Sequence, residues 1–320
     1  MMLVGPSNNA GYLFRREMGA GIGLSEPEPV NIIEALSSLA RRAVQVARKA
    51  CPGVPIEATV QYGNESDFYY NDGEILDVMM VQRRDPEPVY PFIHQASHHQ
   101  PLKPGFTAKM AQLLDLCCQF GTKNICVHLP LDTGDTTQAL LDELCADAFL
   151  EILASSRVSI DLENNWHGSW FGFPDNLLVF FDALDDRLQS SGRKDLKPRF
   201  AMTFDSGHLF AQCQAARLPV ARQLEVMFDT LGNRVRTLHL HGNDGSGDQH
   251  VPFVDPARMH RSKRFMENQE ALLAALPMLD LPARARDRRS PWNLVLISEI
   301  AVPFTIAGFL DHVRLVLEHL

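Results

Sequence analysis

Residues 238–250 read LHLHGNDGSGDQH, a stretch dense in histidine and aspartate behind a short apolar run. Such a crowd is either a metal site or a polar loop, because a lone histidine on an apolar strand is more often a hydrogen-bonded core residue than a ligand. The same side-chain types recur at the ends of other strand-like segments. VYPFIH ends in His94, NICVH in His128, VSIDLE in Glu163, RFAMTFD in Asp205 and NLVLISE in Glu299. Side chains alternate along a strand, so each phase can be followed from the apolar partners. Phe200, Met202 and Phe204 share one face and leave Ala201, Thr203 and Asp205 on the other. By the same count Glu163 falls opposite Ile160 and Leu162, and His128 opposite Ile125 and Val127. His239 and His241 fall opposite Leu238 and Leu240, while His94 is in phase with Phe92 and Glu299 with Ile297.

The elements that must carry these residues alternate regularly. Strand-like segments occur at 2–5, 55–61, 89–94, 124–128, 158–163, 199–205, 235–241 and 293–299. Amphipathic stretches with helical spacing lie between them, at 30–50, 106–120, 136–154, 175–189, 220–231, 267–279 and 305–320. Only the segment after the second strand is irregular. Eight strands alternating with about eight helices predict parallel βαβ units, and the α/β class with a single closed (β/α)8 TIM barrel over 1–320 suits length and count. A doubly wound open sheet is the alternative. GAGIG at 19–23 lacks the G-x-G-x-x-G spacing and does not directly follow a strand, which counts against nucleotide binding. In a barrel, chemistry sits where the strands end, so six successive strands would each bring an inward His, Asp or Glu to one mouth. Left without a counter-charge, such a crowd is very costly. A divalent cation supplies the charge, and mixed imidazole and carboxylate ligands suit Zn2+, Mn2+, Co2+ or Fe2+, from one to three ions.

Bulk composition narrows the partners. The chain has 320 residues, 45% hydrophobic and 22% charged, an ordinary balance for a soluble protein with a sizeable core. A net charge of −9 argues against binding nucleic acid through bulk electrostatics but leaves a local basic groove open. No apolar run reaches membrane-spanning length, and the N-terminus has no secretory pattern. The six cysteines form no C-x-x-C pair and sit mostly in apolar surroundings, which predicts reduced, buried thiols and a cytoplasmic location. The oligomeric state is open, with a homo-oligomer among the possibilities.

From Val89 to Glu299 the chain resembles the xylose isomerase-like TIM barrels, which include sugar-phosphate isomerases and epimerases and the endonuclease IV type of apurinic/apyrimidinic endonuclease. IHQAS and VHLP resemble that family's third- and fourth-strand histidines. DLENNWHGSWFG resembles its Glu-Asn strand, FDSGH its Asp-x-x-His motif, HLHGNDGSGDQH its seventh-strand histidine followed by Asp-x-His, and ISE its terminal glutamate. The resemblance implies core metal ligands Glu163, Asp205, His239 and Glu299, with His94, His128, His208, Asp248 and His250 completing the trinuclear set of the endonuclease type. Two departures stand out. Gly242 occupies the place where many relatives carry aspartate, and VPFVDPARMH replaces the glycine pair often found after Asp-x-His.

The leading expectation is a divalent-metal-dependent isomerase or epimerase of a sugar, sugar phosphate or related polyol. Glu163 and Glu299 would move the proton at the reacting carbon, and His208 would bind a substrate oxygen or join the metal set. His241, Trp166, Trp170 and Arg258 are the candidate substrate contacts; the tryptophans, with Phe171, either wall off water or pack the loop. A multinuclear zinc phosphoesterase is the second expectation, with RMHRSKR at 258–264 as a phosphate clamp or a solvated loop. RARDRR at 284–289 precedes the last strand and reads as solvated surface on the opposite face. A third is an oxidative enzyme using two or three iron ions, since GAGIGL at 19–24 resembles the opening of peptide-modifying iron enzymes, although FDSGH suits the other two better.

Overall fold

The computed structural model describes residues 1–7, 29–63, 73–95, 100–166, 168–247, 249–253, 262–287, 293–300 and 305–320. Eight parallel strands close into a barrel in chain order. They are β1 (Met2–Pro6), β2 (Ile56–Gly63), β3 (Val89–His94), β4 (Asn124–His128), β5 (Ser159–Glu163), β6 (Phe200–Asp205), β7 (Val235–Leu240) and β8 (Leu294–Ser298). Closure comes from β1 pairing both β2 and β8, with Leu3 opposite Glu57 on one side and Val295 on the other.

The helices around it are α1 (Pro29–Ala50), α2 (Gly73–Arg84), α3 (Phe106–Phe120), α4 (Thr137–Leu144), α5 (Asp147–Ser156) and α6 (Pro174–Ser190). They continue with α7 (Ser206–Ala216), α8 (Val220–Leu231), α9 (Lys263–Ala275), α10 (Leu281–Arg286) and α11 (Ile306–Leu317). The stretch expected as one helix over 136–154 breaks at Cys145–Ala146 into α4 and α5. The irregular segment after β2 holds α2.

Two apolar layers show how alternation was satisfied. Ile125, Val127, Ile160, Leu162, Phe200, Met202, Phe204, Leu238 and Leu240 join the large core between barrel and helices. Leu3, Phe92, Cys126, Val295 and Ile297 form a separate small cluster inside the barrel, with Tyr90 against it. Each large side chain so buried contributes about 1.5–3 kcal/mol, which fixes the phase of every strand and, with it, the direction of the polar residue at its end.

Helix α7 was not expected. It starts directly at the end of β6, with the Asp205 carboxylate as N-cap accepting from His208 N–H at 2.6 Å. Every residue from Ser206 to Cys213 is buried, so the segment has no polar face and no amphipathic period to betray it.

Two expectations about the surface are corrected. Cys118 is exposed, although all six cysteines are free. Arg284 in RARDRR is half-buried rather than solvated, because its guanidinium donates to the carbonyls of Gly232, at 2.9 Å, and Val235. No helix of the described residues is long and apolar enough to cross a membrane.

Candidate metal centre

The polar strand ends meet at one place. Glu163, last residue of β5, is buried and central. Its Oε2 lies 3.1 Å from His94 Nε2 and 3.2 Å from His128 Nε2, and its Oε1 lies 2.7 Å from His239 Nδ1. His239 Nδ1 is also 3.9 Å from Asp205 Oδ2 and 3.7 Å from Glu299 Oε2. Glu163, Asp205, His239 and Glu299 each offer one ligand atom within 4.8 Å of the others. A second overlapping group joins His94, Cys126, Glu163 and His239, and a third joins His241, His250 and Glu299. Cys126 was not anticipated at the site; its inward phase was legible, and its thiol lies 3.5 Å from Glu163 Oε2.

Neutral side chains hold these groups in place. Asn164 clamps the end of β6, its Oδ1 accepting from Asp205 N–H at 2.7 Å and its Nδ2 donating to the Asp205 carbonyl at 3.0 Å. The Asn164 carbonyl also faces His208 Nδ1 at 2.8 Å. A carbonyl only accepts, so Nδ1 carries the proton there and Nε2 keeps its lone pair. His208 Nδ1 is 3.8 Å from Asp205 Oδ1 and 4.0 Å from Glu163 Oε1, at the edge of the cluster. Gln61, from β2, donates to Glu299 Oε1 and fixes that carboxylate. Sequence reading overlooked Gln61, which alternation marks only as one more inward polar residue.

The loop after β7 explains one departure from the family pattern. Gly242 and Val251 form an antiparallel bridge that closes the loop and brings His250 back onto His241, ring centroids 4.3 Å apart. A Cβ at Gly242 would lie 2.4 Å from the Phe265 ring, so an aspartate does not fit without displacing α9. Phe253 N–H then donates to His312 Nδ1 at 2.9 Å, tying the end of the loop to α11.

The remaining expected residues divide. Trp166 stacks on His208 with ring centroids 6.4 Å apart. Trp170 packs against the apolar shell outside the barrel, and Phe171 is wholly within that shell. Asp248, Arg258 and GAGIGL at 19–24 lie outside the described residues.

The electrostatics fit a cation. Among the described residues, the ion-pair partners of Glu163, Asp205 and Glu299 are histidines. Burial opposes ionisation of Glu163, yet the imidazoles of His128 and His239 hold it well below the usual carboxylate range. Asp205 is likewise lowered against burial by His208 and His241. Burial opposes protonation of His239, but Glu299 and Glu163 outweigh it and raise its pKa to about 9. Burial lowers His128 to about 4, so it is neutral at pH 7 and available as a ligand. His94 supplies the sharpest test. Its Nδ1 faces the Gln95 carbonyl at 3.0 Å and therefore carries the proton, which points the lone pair of Nε2 at Glu163 Oε2. Two acceptors 3.1 Å apart repel unless a proton or a cation lies between or beside them. With donors about 2.0–2.2 Å from a common ion, neighbouring ligand atoms fall roughly at that separation. The buried Nδ1 of His128 and Nε2 of His239 also lack hydrogen-bond partners. The donor set fits a divalent metal.

No protein-family model and no curated protein matches the sequence. Solved structures do. A D-tagatose 3-epimerase-like protein aligns over 97% of this chain and 94% of its own, at 15% identity and a TM-score of 0.58. A D-allulose 3-epimerase from Methylomonas sp., in complex with D-allulose, aligns over 99% and 95% at 12% identity and a TM-score of 0.53. A xylose isomerase-like TIM barrel protein from Mycobacterium smegmatis, in complex with magnesium, aligns over 91% and 89% at 12% identity and a TM-score of 0.50. At such identities the likeness is one of fold, and the shared fold is the closed (β/α)8 barrel.

Proposed function

We propose that the chain is a divalent-metal-dependent isomerase or epimerase of a sugar, sugar phosphate or related polyol, working by proton transfer. The observation that carries this reading is the convergence of Glu163, Asp205, His239 and Glu299 within 4.8 Å at a buried barrel mouth. When bound there, a divalent cation supplies Lewis-acid polarisation of a carbonyl and a charge that holds adjacent oxygens. Glu163, from β5, and Glu299, just after β8, flank the Asp205–His239 pair, so two carboxylates face the reacting carbon from different sides. One takes the proton and the other returns it; general acid–base catalysis of this kind contributes about 10²–10⁴-fold. Gln61 donates to Glu299 Oε1 and leaves Oε2 for the proton. His208, oriented by the Asn164 carbonyl, would bind a substrate oxygen or join the metal set, and Trp166 stacked on it covers that ring. The fold neighbours with epimerase names support a carbohydrate substrate.

The test is solvent-proton exchange. The Mn2+-loaded protein, incubated in D2O with a panel of ketoses and their phosphates, is expected to place deuterium on the carbon beside the carbonyl, read by NMR. Glu163→Gln and Glu299→Gln should each slow it by about 10²–10⁴-fold. Absence of exchange across the panel in fully metal-loaded protein would sink the isomerase reading.

One observation favours a second reading, hydrolysis of a phosphate ester by a multinuclear zinc centre. Glu163 divides its oxygens, Oε2 toward His94 and His128 and Oε1 toward His239, so that with those histidines it would hold two ions, which would supply the hydroxide for hydrolysis. Release of nitrophenolate from bis(4-nitrophenyl) phosphate by the Zn2+-loaded protein, with no deuterium exchange into sugars, would favour it.

A further inference from the structure

The loop after β7 is braced at its tip and pinned at its root. At the tip Gln249 brackets Asp244, its Oε1 accepting from Asp244 N–H at 3.0 Å and its Nε2 donating to Oδ1 at 2.8 Å. Asn243 Oδ1 accepts from Gly245 N–H at 2.6 Å. At the root, Gly242 and Val251 exchange both backbone hydrogen bonds, as a hydrogen-bonded antiparallel pair does. Continued by two residues, that ladder would set Phe253 N–H against the Leu240 carbonyl. Leu240, however, is already paired in parallel with Ser298 of β8. One strand edge does not pair twice, so the return limb must leave the ladder after Val251. The backbone N–H of buried Phe253 then needs a partner from elsewhere.

His312 supplies it from α11. Its Nδ1 accepts from Phe253 N–H at 2.9 Å, and the two rings lie 4.9 Å apart, centroid to centroid. Accepting there requires a neutral ring with its lone pair on Nδ1. Burial and the neighbouring His241 push the His312 pKa down to about 3, against the pull of the Leu240 carbonyl, so the ring is neutral at pH 7. Between the two pinned amides stands Pro252, whose ring fixes φ and carries the constraint along the limb.

Directly ahead of that limb is His250. Its backbone is left-handed, with φ 45°, a conformation that a residue other than glycine keeps only where its surroundings enforce it. Its Nδ1 lies 3.1 Å from the Glu299 carbonyl oxygen and 3.7 Å from Glu299 Oε2. Its ring stacks on that of His241, whose Nε2 faces Asp205 Oδ2 at 3.3 Å and whose buried Nδ1 has no hydrogen-bond partner.

We propose that His312 is a positioning residue for the candidate active site, acting through Phe253 N–H to hold His250 against Glu299. The catalytic consequence rests on the isomerase reading, in which Glu299 moves a proton; the positioning of His250 does not.

Two variants of the full chain separate these. His312→Leu removes the acceptor and keeps an apolar side chain, whereas His312→Gln restores an acceptor. By NMR, the Val251 and Phe253 amides of His312→Leu should exchange with solvent about tenfold faster than in wild type, and the His250 ring signals should shift. Amides of β7 and β8 should keep their protection, and His312→Gln should recover most of both changes. In the Mn2+-loaded protein, His312→Leu should lower kcat for proton exchange on the ketose panel by about 10–10²-fold at unchanged KM, with recovery in His312→Gln. Unaltered loop amides and His250 signals in folded His312→Leu overturn the clamp. A loosened loop with unchanged kcat overturns its role in the chemistry. If wild type exchanges no sugar proton, the isomerase reading falls, and the NMR signals still decide whether His312 positions His250. Should both variants fail to fold, nitrogen NMR of the wild-type ring decides. A bare His312 Nδ1 beside a slowly exchanging Phe253 amide supports the proposal, and a proton on that nitrogen overturns it.

Discussion

Asp161 and Glu163 stand two residues apart on β5, both face the barrel interior, and both are buried, but their surroundings differ in kind. Asp161 sits one layer deeper among neutral donors. Its Oδ2 accepts from Asn124 at 2.9 Å and from Thr237 at 2.8 Å, and its Oδ1 from Ser159 at 2.8 Å. Arg236 completes that layer, donating to Ser159 Oγ at 2.7 Å. Burial raises the Asp161 pKa, and Arg236 with the three donors only partly offsets it. Glu163 is surrounded by imidazoles, which drive its pKa the other way. One carboxylate is satisfied by fixed groups of the fold. The other is shared among histidines, of which His128 and His239 each keep a buried nitrogen without a hydrogen-bond partner, a donor set that fits a divalent cation better than a closed core.

That contrast can be broken by exchanging the roles of the two acids. The largest effect is expected from Glu163→Gln, which should lower turnover by about 10²–10⁴-fold and weaken metal retention, measured by sugar exchange kinetics and zinc content. Asp161→Ala should leave zinc stoichiometry unchanged but cost about 3–5 kcal/mol in urea unfolding, because it removes the acid facing half-buried Arg236 and three oriented donors. If Asp161→Ala instead strips the metal with stability intact, the division between structural and metal-binding acid is wrong.

A smaller effect sharpens the same contrast through pH. The folded pKa of His239 is raised to about 9, above its unfolded value near 6.5. Its contribution to stability is therefore fully present below about pH 6.5 and is lost as pH rises through 9. The Tm of chelator-treated protein should fall by a few degrees across that window, and His239→Asn should flatten the fall. Saturating Zn2+ should also flatten it, since a ligating imidazole is already deprotonated. A Tm that is level from pH 6.5 to 9 in the metal-free wild type would count against the charged His239–Glu163 pair.

Much of this molecule is decided locally. Alternation is a period-two property of each strand, so the side to which Glu163, Asp205 and His239 point follows from Leu162, Phe204 and Leu238 alone. The βα alternation likewise predicts parallel βαβ units, but closure into a barrel rather than an open sheet, which collects the strand ends at one mouth, is decided by β1 pairing β8. What no single segment contains is which strand end meets which. The division of Glu163 between His94, His128 and His239 follows from barrel register, a relation among the five neighbouring strands β3 to β7. Helix α7 escaped detection because it is buried on every side from Ser206 to Cys213 and so shows no amphipathic period. The bulge between Met202 and Thr203, which inserts Arg236 into the Asp161 layer, leaves no mark in the alternation on either side. His241 shows the boundary most clearly. Its inward phase is written in Leu238 and Leu240, but its bare Nδ1 depends on Gly207, Asp205 and a loop that folds back through Val251. Side-chain direction is a short-range consequence of covalent geometry, whereas a ligand set is a coincidence in space that only the closed barrel creates.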